Sequence, residues 1–137
     1  MSLVSLLVFV VFLVSSMANA QATKDPIDQS LDACLNSLAG ASTVGQTDCA
    51  DKAYAAWDAE LNKVYQKLMK NLDPASRDLL RTSQRQWLAF QTSEKKFQAG
   101  PWRQKGGTLI GVSVNLDNVG ALRSRVMSLR TYAAVAK

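Results

Sequence analysis

Apolar side chains recur every three or four residues along two adjacent segments, which together span residues 49–97. That spacing places them on one face of an α-helix and predicts two amphipathic helices. A break at residues 71–74 separates the two segments, because Asp73 can cap a helix and Pro74 suits its first position. The first stripe consists of Tyr54, Trp57, Leu61, Tyr65 and Leu68, and the second of Leu80, Trp87, Phe90 and Phe97.

Weaker signals predict one helix before these segments and one after them. Pro26 begins a short segment that is expected to be helical from Ile27 to Leu38 and to end at Gly40. The last helix is expected over residues 116–135. Its apolar seam consists of Val119, Leu122, Val126, Leu129 and Ala133.

Flanking residues set the expected ends of the long helices. The second helix is expected to begin at a cap on Thr47 or Asp48 and to end near Asn71. The third is expected to end near Gln98, just before Gly100-Pro101.

No segment alternates convincingly as a β-strand does, although residues 108–114 come nearest. Residues 102–107, which are rich in Gly, Lys, Arg and Gln, are expected to form a loop. Short connections favour antiparallel neighbours, so the predicted fold is all-α, a small antiparallel helical bundle of three to four helices with one disulfide.

The N-terminus carries the pattern of a secretory signal. An apolar run at residues 3–14 is followed at residues 18–20 by Ala-Asn-Ala, a small-x-small cleavage pattern. An uncleaved anchor is the alternative, but the run is shorter than the roughly 20 residues that span a bilayer. We therefore expect a signal peptide at residues 1–20, one domain without a membrane span at residues 21–137, and a periplasmic or secreted location.

The chain has two cysteines, Cys34 and Cys49. In an exported protein such a pair is expected to form a disulfide. Gly40 and Gly45 let the intervening loop turn, so the bond would pin the first helix to the start of the second. A redox or metal role has less support, since the chain contains neither a Cys-x-x-Cys motif nor a histidine.

Charge is distributed unevenly along the chain, whose net charge is +5. Residues 21–60 carry seven acids against two lysines, a net charge of −5, and residues 61–137 carry fourteen cations against four acids, a net charge of +10. Faces of opposite sign would steer charged partners. The alternative, which we favour, is that the charges belong to solvated helix faces and pair with one another in the fold.

Three polar residues lie within or beside the apolar stripes: Asn62, Gln84 and Arg85. If the two long helices pack antiparallel about Asp73, Asn62 comes near residues 84 and 85. A buried amide needs a partner, so we expect an Asn62–Gln84 or Asn62–Arg85 hydrogen bond that sets the register of the helices. A ligand-binding role is the alternative. Trp57 and Trp87 are expected in the core.

Trp102 lies with Arg103 and Lys105 in the predicted loop. An aromatic ring beside cations on a loop is a candidate contact for a partner. The alternative is a tryptophan that folds back over the end of the bundle.

Two basic groups recur at helical spacing on either side of the break at residues 71–74. Such groups attract anionic envelope polymers, although a solvated helix face is the more common reason for them. No recognition helix or stacking platform points to nucleic acid, so no nucleic-acid partner is expected. The groups are Lys63, Lys67 and Lys70, and Arg77, Arg81 and Arg85.

No catalytic, cofactor-binding or metal-ligating residue is predicted. Without histidine, and with both cysteines expected in a disulfide, the usual pairings of nucleophile and base are missing. Asp58 and Glu60 are the nearest candidate pair for glycoside cleavage, but residues two apart on a helix point to different faces. We expect neither an enzyme nor a cofactor.

Several short motifs occur together in the middle of the chain: Thr47-Asp48-Cys49, Ala53, Trp57-Asp58, Leu61-Asn62, Tyr65 and Gln84-Arg85-Gln86-Trp87-Leu88-Ala89-Phe90. Their combination resembles the LprI-type family of exported bacterial proteins. The resemblance covers about residues 34–129, and it implies an exported, helical, disulfide-bearing domain. Some members of that family inhibit lysozyme, which implies a protein partner.

The chain departs from the family pattern at a second pair of cysteines that members often carry. Lys95 stands at about the first of these positions, and a polar residue within 115–117 at the second. Gln91 also stands where an arginine is common. Without that bond the last helix would be held by packing alone, and the loop at residues 99–115 would not be constrained to the geometry of the family.

Two classes of function follow from these observations. The first is an exported interaction protein, namely a lysozyme inhibitor that occludes the cleft of the enzyme. The second is an envelope-associated structural module that binds anionic polymer, and an immunity protein against a wall-degrading toxin is a third possibility. A chain with net charge +5 would repel a basic lysozyme, so an inhibitor would have to dock through its acidic segment up to Glu60.

Overall fold

The computed structural model describes residues 24–136, which form four α-helices and, within that range, no strand. Two 3-10 turns, Leu38–Ala41 and Pro101–Gly106, precede α2 and α4. This confirms the predicted all-α class. The expected signal peptide at residues 1–20 lies outside the described residues. The helices are α1 (Pro26–Leu35), α2 (Thr43–Asn71), α3 (Pro74–Gln98) and α4 (Gly107–Val135).

The core lies mainly between α2 and α4. Trp57 and Leu68 of α2 are fully buried, as are Leu122 and Leu129 of α4. All five residues of the seam predicted for the last helix are buried. The two helices pack directly on each other in the same direction, α3 runs antiparallel beside them, and α1 covers the side where Ile27 and Leu31 meet the core.

Capping explains where the helices begin. The Asp73 carboxylate accepts a hydrogen bond from the Ser76 amide at 3.0 Å, as expected for the N-cap of α3. The predicted start of α2 was wrong, because Ser42 caps that helix through the Gly45 amide and adds a turn before Thr47.

The last helix begins nine residues earlier than expected, and this corrects the assignment of residues 108–114, which are helical. The chain enters α4 through Gly107 at φ +65°, a conformation that glycine adopts without steric cost. The first helix ends at Leu35, earlier than the predicted Leu38, because Ser37 caps a separate 3-10 turn there.

The third helix packs less deeply than its sequence suggested. Leu80 is buried and Trp87 is half-buried, but Phe90 and Phe97, expected on the same stripe, are exposed. At about 100° per residue, positions 90 and 97 lie a quarter turn away from position 80. The core-facing side of α3 instead carries Gln84 and Gln91.

The disulfide forms between Cys34 and Cys49, with 5.7 Å between the Cα atoms, and so the predicted pairing is confirmed. It ties the last turn of α1 to the buried N-terminal part of α2.

Replacing both cysteines by alanine should lower the free energy of unfolding by about 3 kcal/mol, because the bond restricts the unfolded chain across a short loop. Denaturant unfolding of the variant, compared with the native protein with and without reductant, measures this. An unchanged midpoint in both comparisons would show that α1 is held without the bond.

Candidate interaction surfaces

Arginines of α4 bind the acids of the N-terminal segment. Arg123 Nε donates to Asp28 Oδ2 at 2.7 Å, and Arg130 donates at 2.7 Å to both Asp25 Oδ2 and Glu60 Oε1. The two guanidinium groups also lie 5.8 Å and 5.5 Å from the ring centre of the fully buried Trp57. These pairs confirm that the charges of opposite sign meet within the fold.

Ionisation of Asp25 is coupled to these contacts. Burial opposes its charge, but the hydrogen bonds from Arg130 and from the Ile27 amide outweigh burial and hold the pKa of Asp25 below its ordinary value of 3.8. The same bond to Asp25, with a further one to Glu60, raises the pKa of Arg130.

Three acids of the same segment remain exposed on α2: Asp48, Asp51 and Asp58. None of the three forms an ion pair with another residue in the described range 24–136. Asp51 and Asp58 are seven residues apart and therefore share one side of α2. The acidic surface is consequently smaller than the sequence suggested, and it is confined to the N-terminal half of α2.

The aromatic residue of the candidate contact segment folds back onto α3. The Trp102 ring stacks on Phe97 with 5.1 Å between centroids, and its Nε1 donates to the Phe97 carbonyl at 2.6 Å. Trp102 nevertheless remains partly exposed. Arg103 is half-buried and Lys105 is exposed.

Arg103 lies at the centre of the bundle end, where three shallow clefts meet. The cleft between α2, α3 and α4 has a volume of about 260 Å³, and its lining includes Lys95 and Asn115. Lys95 Nζ donates to Tyr54 Oη at 2.8 Å, and Asn118 donates to Gln98 at 2.9 Å. The third and fourth helices are thus joined here by a polar contact.

The expected network of Asn62, Gln84 and Arg85 does not form. Asn62 is exposed and donates to the backbone carbonyl of Asp58, while Arg85 lies on the outer side of α3 beside Thr82. Gln84 accepts a hydrogen bond from Arg125 Nε at 3.0 Å. Asn62 and Gln84 are at similar distances from the turn at Asp73, as expected. However, Asn62 lies 100° beyond the buried Leu61 around α2 and so faces solvent.

Arg125 is the residue that sequence reasoning missed. It reaches from α4 to Gln84 and Ser83 of α3 and lies 5.9 Å from the Trp87 ring. Burial lowers the pKa of Arg125. The sequence signal that could have predicted this contact is the position of Arg125 next to the apolar seam of α4, because a charged residue beside a seam usually has a partner on the neighbouring helix.

The basic groups near the α2–α3 turn are partly engaged. Lys63 pairs with Glu60 at 3.5 Å and Arg81 pairs with Asp78, while Arg77 donates to the Leu72 carbonyl at 2.7 Å. Lys67, Lys70 and Arg85 form no ion pair with any residue that the structure describes.

Residues 24–136 contain no cluster of three or more side chains suited to hold a metal ion. No helix among them is both long and apolar enough to cross a bilayer.

The model of the lysozyme inhibitor LprI family matches residues 34–126, which include the disulfide, all of α2 and α3 and most of α4. The chain belongs to the LprI family. The family is one of inhibitors rather than enzymes, and its partner in general is a protein. No protein with a curated description matches the chain.

A crystal structure of an uncharacterised protein from Burkholderia thailandensis is similar in fold. It is 30% identical in sequence, with a TM-score of 0.77 over 82% of this chain. The chain spans about half of that protein, 55% of its length.

An Asp25→Asn variant tests the coupling of Asp25 to Arg130. Asparagine still caps α1 but loses the charge, so the free energy of unfolding at neutral pH should fall by about 1–2 kcal/mol. Because the folded pKa is depressed, this stabilisation is complete above the ordinary pKa of 3.8 and is lost as pH falls through the folded value. Unfolding curves of native and variant protein should therefore converge as the pH falls through the folded pKa of Asp25. A constant difference across this range would contradict the coupling.

Proposed function

We propose that this protein is exported and inhibits a lysozyme by binding across the cleft of the enzyme. The observation that carries the proposal is the family match over residues 34–126, which covers most of the helical scaffold. In this account residues 1–20 are a cleaved signal peptide, residues 21–137 are the inhibitor domain, and the location is periplasmic or secreted.

Electrostatics favours one docking face. A lysozyme of the basic, animal type is repelled at long range by a net charge of +5. Asp25, Asp28 and Glu60 are already engaged by arginines of α4. The exposed carboxylates of α2 are therefore the groups that attract such an enzyme.

The same face adjoins the candidate contact segment. Arg103 shares one cleft with Asp51 and another with Asp48. Glycoside hydrolases of this kind carry a pair of carboxyl groups in the cleft. In the proposed complex Asp48 and Asp51 meet the basic rim of the enzyme, and Arg103 and Lys105 approach its acidic centre, with Trp102 as the apolar contact.

The alternative is an envelope-associated module that binds anionic polymer. Its support is the group of cations near the α2–α3 turn that form no ion pair within residues 24–136, namely Lys67, Lys70 and Arg85. Such binding would weaken steeply with salt.

Residual lysozyme activity in the presence of the exported protein tests the first proposal. Inhibition should be evident at micromolar protein, and an Asp48→Asn/Asp51→Asn variant should weaken it by about tenfold, since each peripheral charge contributes up to about 1 kcal/mol.

The matched control is Asp78→Asn/Asp117→Asn, which changes the net charge equally on α3 and α4 and should alter inhibition by less than about twofold. Absence of inhibition by the native protein would refute the proposal for the lysozymes tested. Equal losses in both variants would refute the proposed docking face.

A further inference from the structure

The third helix carries an exposed stripe without a charged residue. Leu79, Phe90 and Phe97 are 73%, 57% and 61% exposed, and their spacings of eleven and seven residues place them on one side of α3. The intervening positions on this side are Ser83, Gln86 and Ser93, none of which is charged, while the half-buried Glu94 lies about 60° from Phe97 on one flank.

Trp102 extends the stripe at its C-terminal end. Its ring stacks on Phe97 and is 38% exposed. From Leu79 to Phe97 the stripe is about 27 Å long, at 1.5 Å per helical residue. Single exposed apolar residues are ordinary, but an aligned row that ends in two stacked aromatic rings indicates a contact surface.

Cations border this stripe along one side. Arg85 and Lys96 are eleven residues apart and lie about a third of a turn from it, in line with Asp78, whose charge is paired with Arg81. Both are exposed, and neither pairs with a carboxylate within the described residues. Five cations and two acids give α3 a net charge of +3.

The charge and the pattern distinguish between possible occupants. A second copy paired through α3 would bring two +3 surfaces together, and the Ser and Gln positions would leave gaps in a helix–helix seam. A basic enzyme would be repelled by the same surface. An anionic bilayer surface fits, because acyl chains accept the apolar rings while headgroups meet the cations and the hydroxyl and amide groups.

We propose that α3 binds the surface of an anionic phospholipid bilayer, with Leu79, Phe90, Phe97 and Trp102 in the interface and Arg85 and Lys96 at the headgroups. The helix lies along the membrane and does not cross it. This inference does not depend on lysozyme inhibition, although Trp102 belongs to both proposed contacts.

The test is co-sedimentation of the exported protein, with its N-terminus verified by mass spectrometry, with vesicles of phosphatidylglycerol and phosphatidylcholine. Binding should be at least about tenfold weaker to vesicles of phosphatidylcholine alone, and weaker at about 1 M salt than at about 0.01 M. A Phe90→Ser/Phe97→Ser variant and an Arg85→Gln/Lys96→Gln variant should each lose about tenfold or more in partition.

The control is Leu38→Ser/Val135→Ser, which removes two exposed apolar residues outside α3 and should change partition by less than about twofold. Leu79→Ser leaves the Phe97–Trp102 stack intact, so weaker vesicle binding by this variant would not be caused by disruption of that stack. The midpoint of thermal unfolding should be nearly unchanged in all variants. The Arg85→Gln/Lys96→Gln variant, which leaves Trp102 and its stack on Phe97 untouched, should still inhibit lysozyme if the native protein does.

Three results would overturn the proposal. The first is no binding to anionic vesicles at low salt. The second is weaker vesicle binding by the Arg85→Gln/Lys96→Gln variant alone, which would indicate a polyanion contact without insertion of apolar side chains. The third is a native dimer in sedimentation equilibrium that the Phe90→Ser/Phe97→Ser variant dissociates, which would assign the stripe to a second copy.

Discussion

The fold depends on the contact of two arginines with one buried tryptophan. Trp57 is fully buried in α2, and Arg123 and Arg130 of α4 lie over its ring. A guanidinium at a partly buried site is stabilised when a carboxylate accepts its hydrogen bonds. Asp28 accepts a hydrogen bond from Arg123, and Asp25 and Glu60 accept hydrogen bonds from Arg130. One set of contacts therefore aligns α1, α2 and α4.

This arrangement also determines which charges remain for partners. The sequence is acidic before residue 61 and basic after it, and the structure pairs the two parts through α4. The charges that these ion pairs do not use form an acidic patch on the N-terminal half of α2 and a cationic side of α3. A small chain therefore presents two surfaces of opposite sign, each suited to a different kind of partner.

Local signals predicted the local features well. Asp73 and Pro74 marked the turn between α2 and α3, and the seam of the last helix was correct in all five positions. Compartment chemistry predicted the Cys34–Cys49 bond. These features depend on neighbouring residues or on one helix face, which a sequence displays directly.

Contacts between helices were predicted less well, because periodicity gives a face but not its partner. Phe90 and Phe97 fit an apolar pattern, yet the side of α3 that meets the bundle carries Gln84 and Gln91. The pattern therefore predicts one stripe with Leu80 and Trp87, whereas the two phenylalanines belong to an exposed surface. The start of α4 was missed because Gly106 and Gly107 suggested a loop, although the second glycine is the entry into the helix.

The pairing of Asp28 with Arg123 gives the most direct test of the central claim, that α4 arginines over Trp57 hold α1 and withdraw its acids from the surface. The measurement is a double-mutant cycle of Asp28→Asn and Arg123→Gln by denaturant unfolding. We predict a coupling free energy of about 1 kcal/mol, because a charged hydrogen bond joins the two side chains. Additivity of the two single changes within about 0.3 kcal/mol would contradict the account.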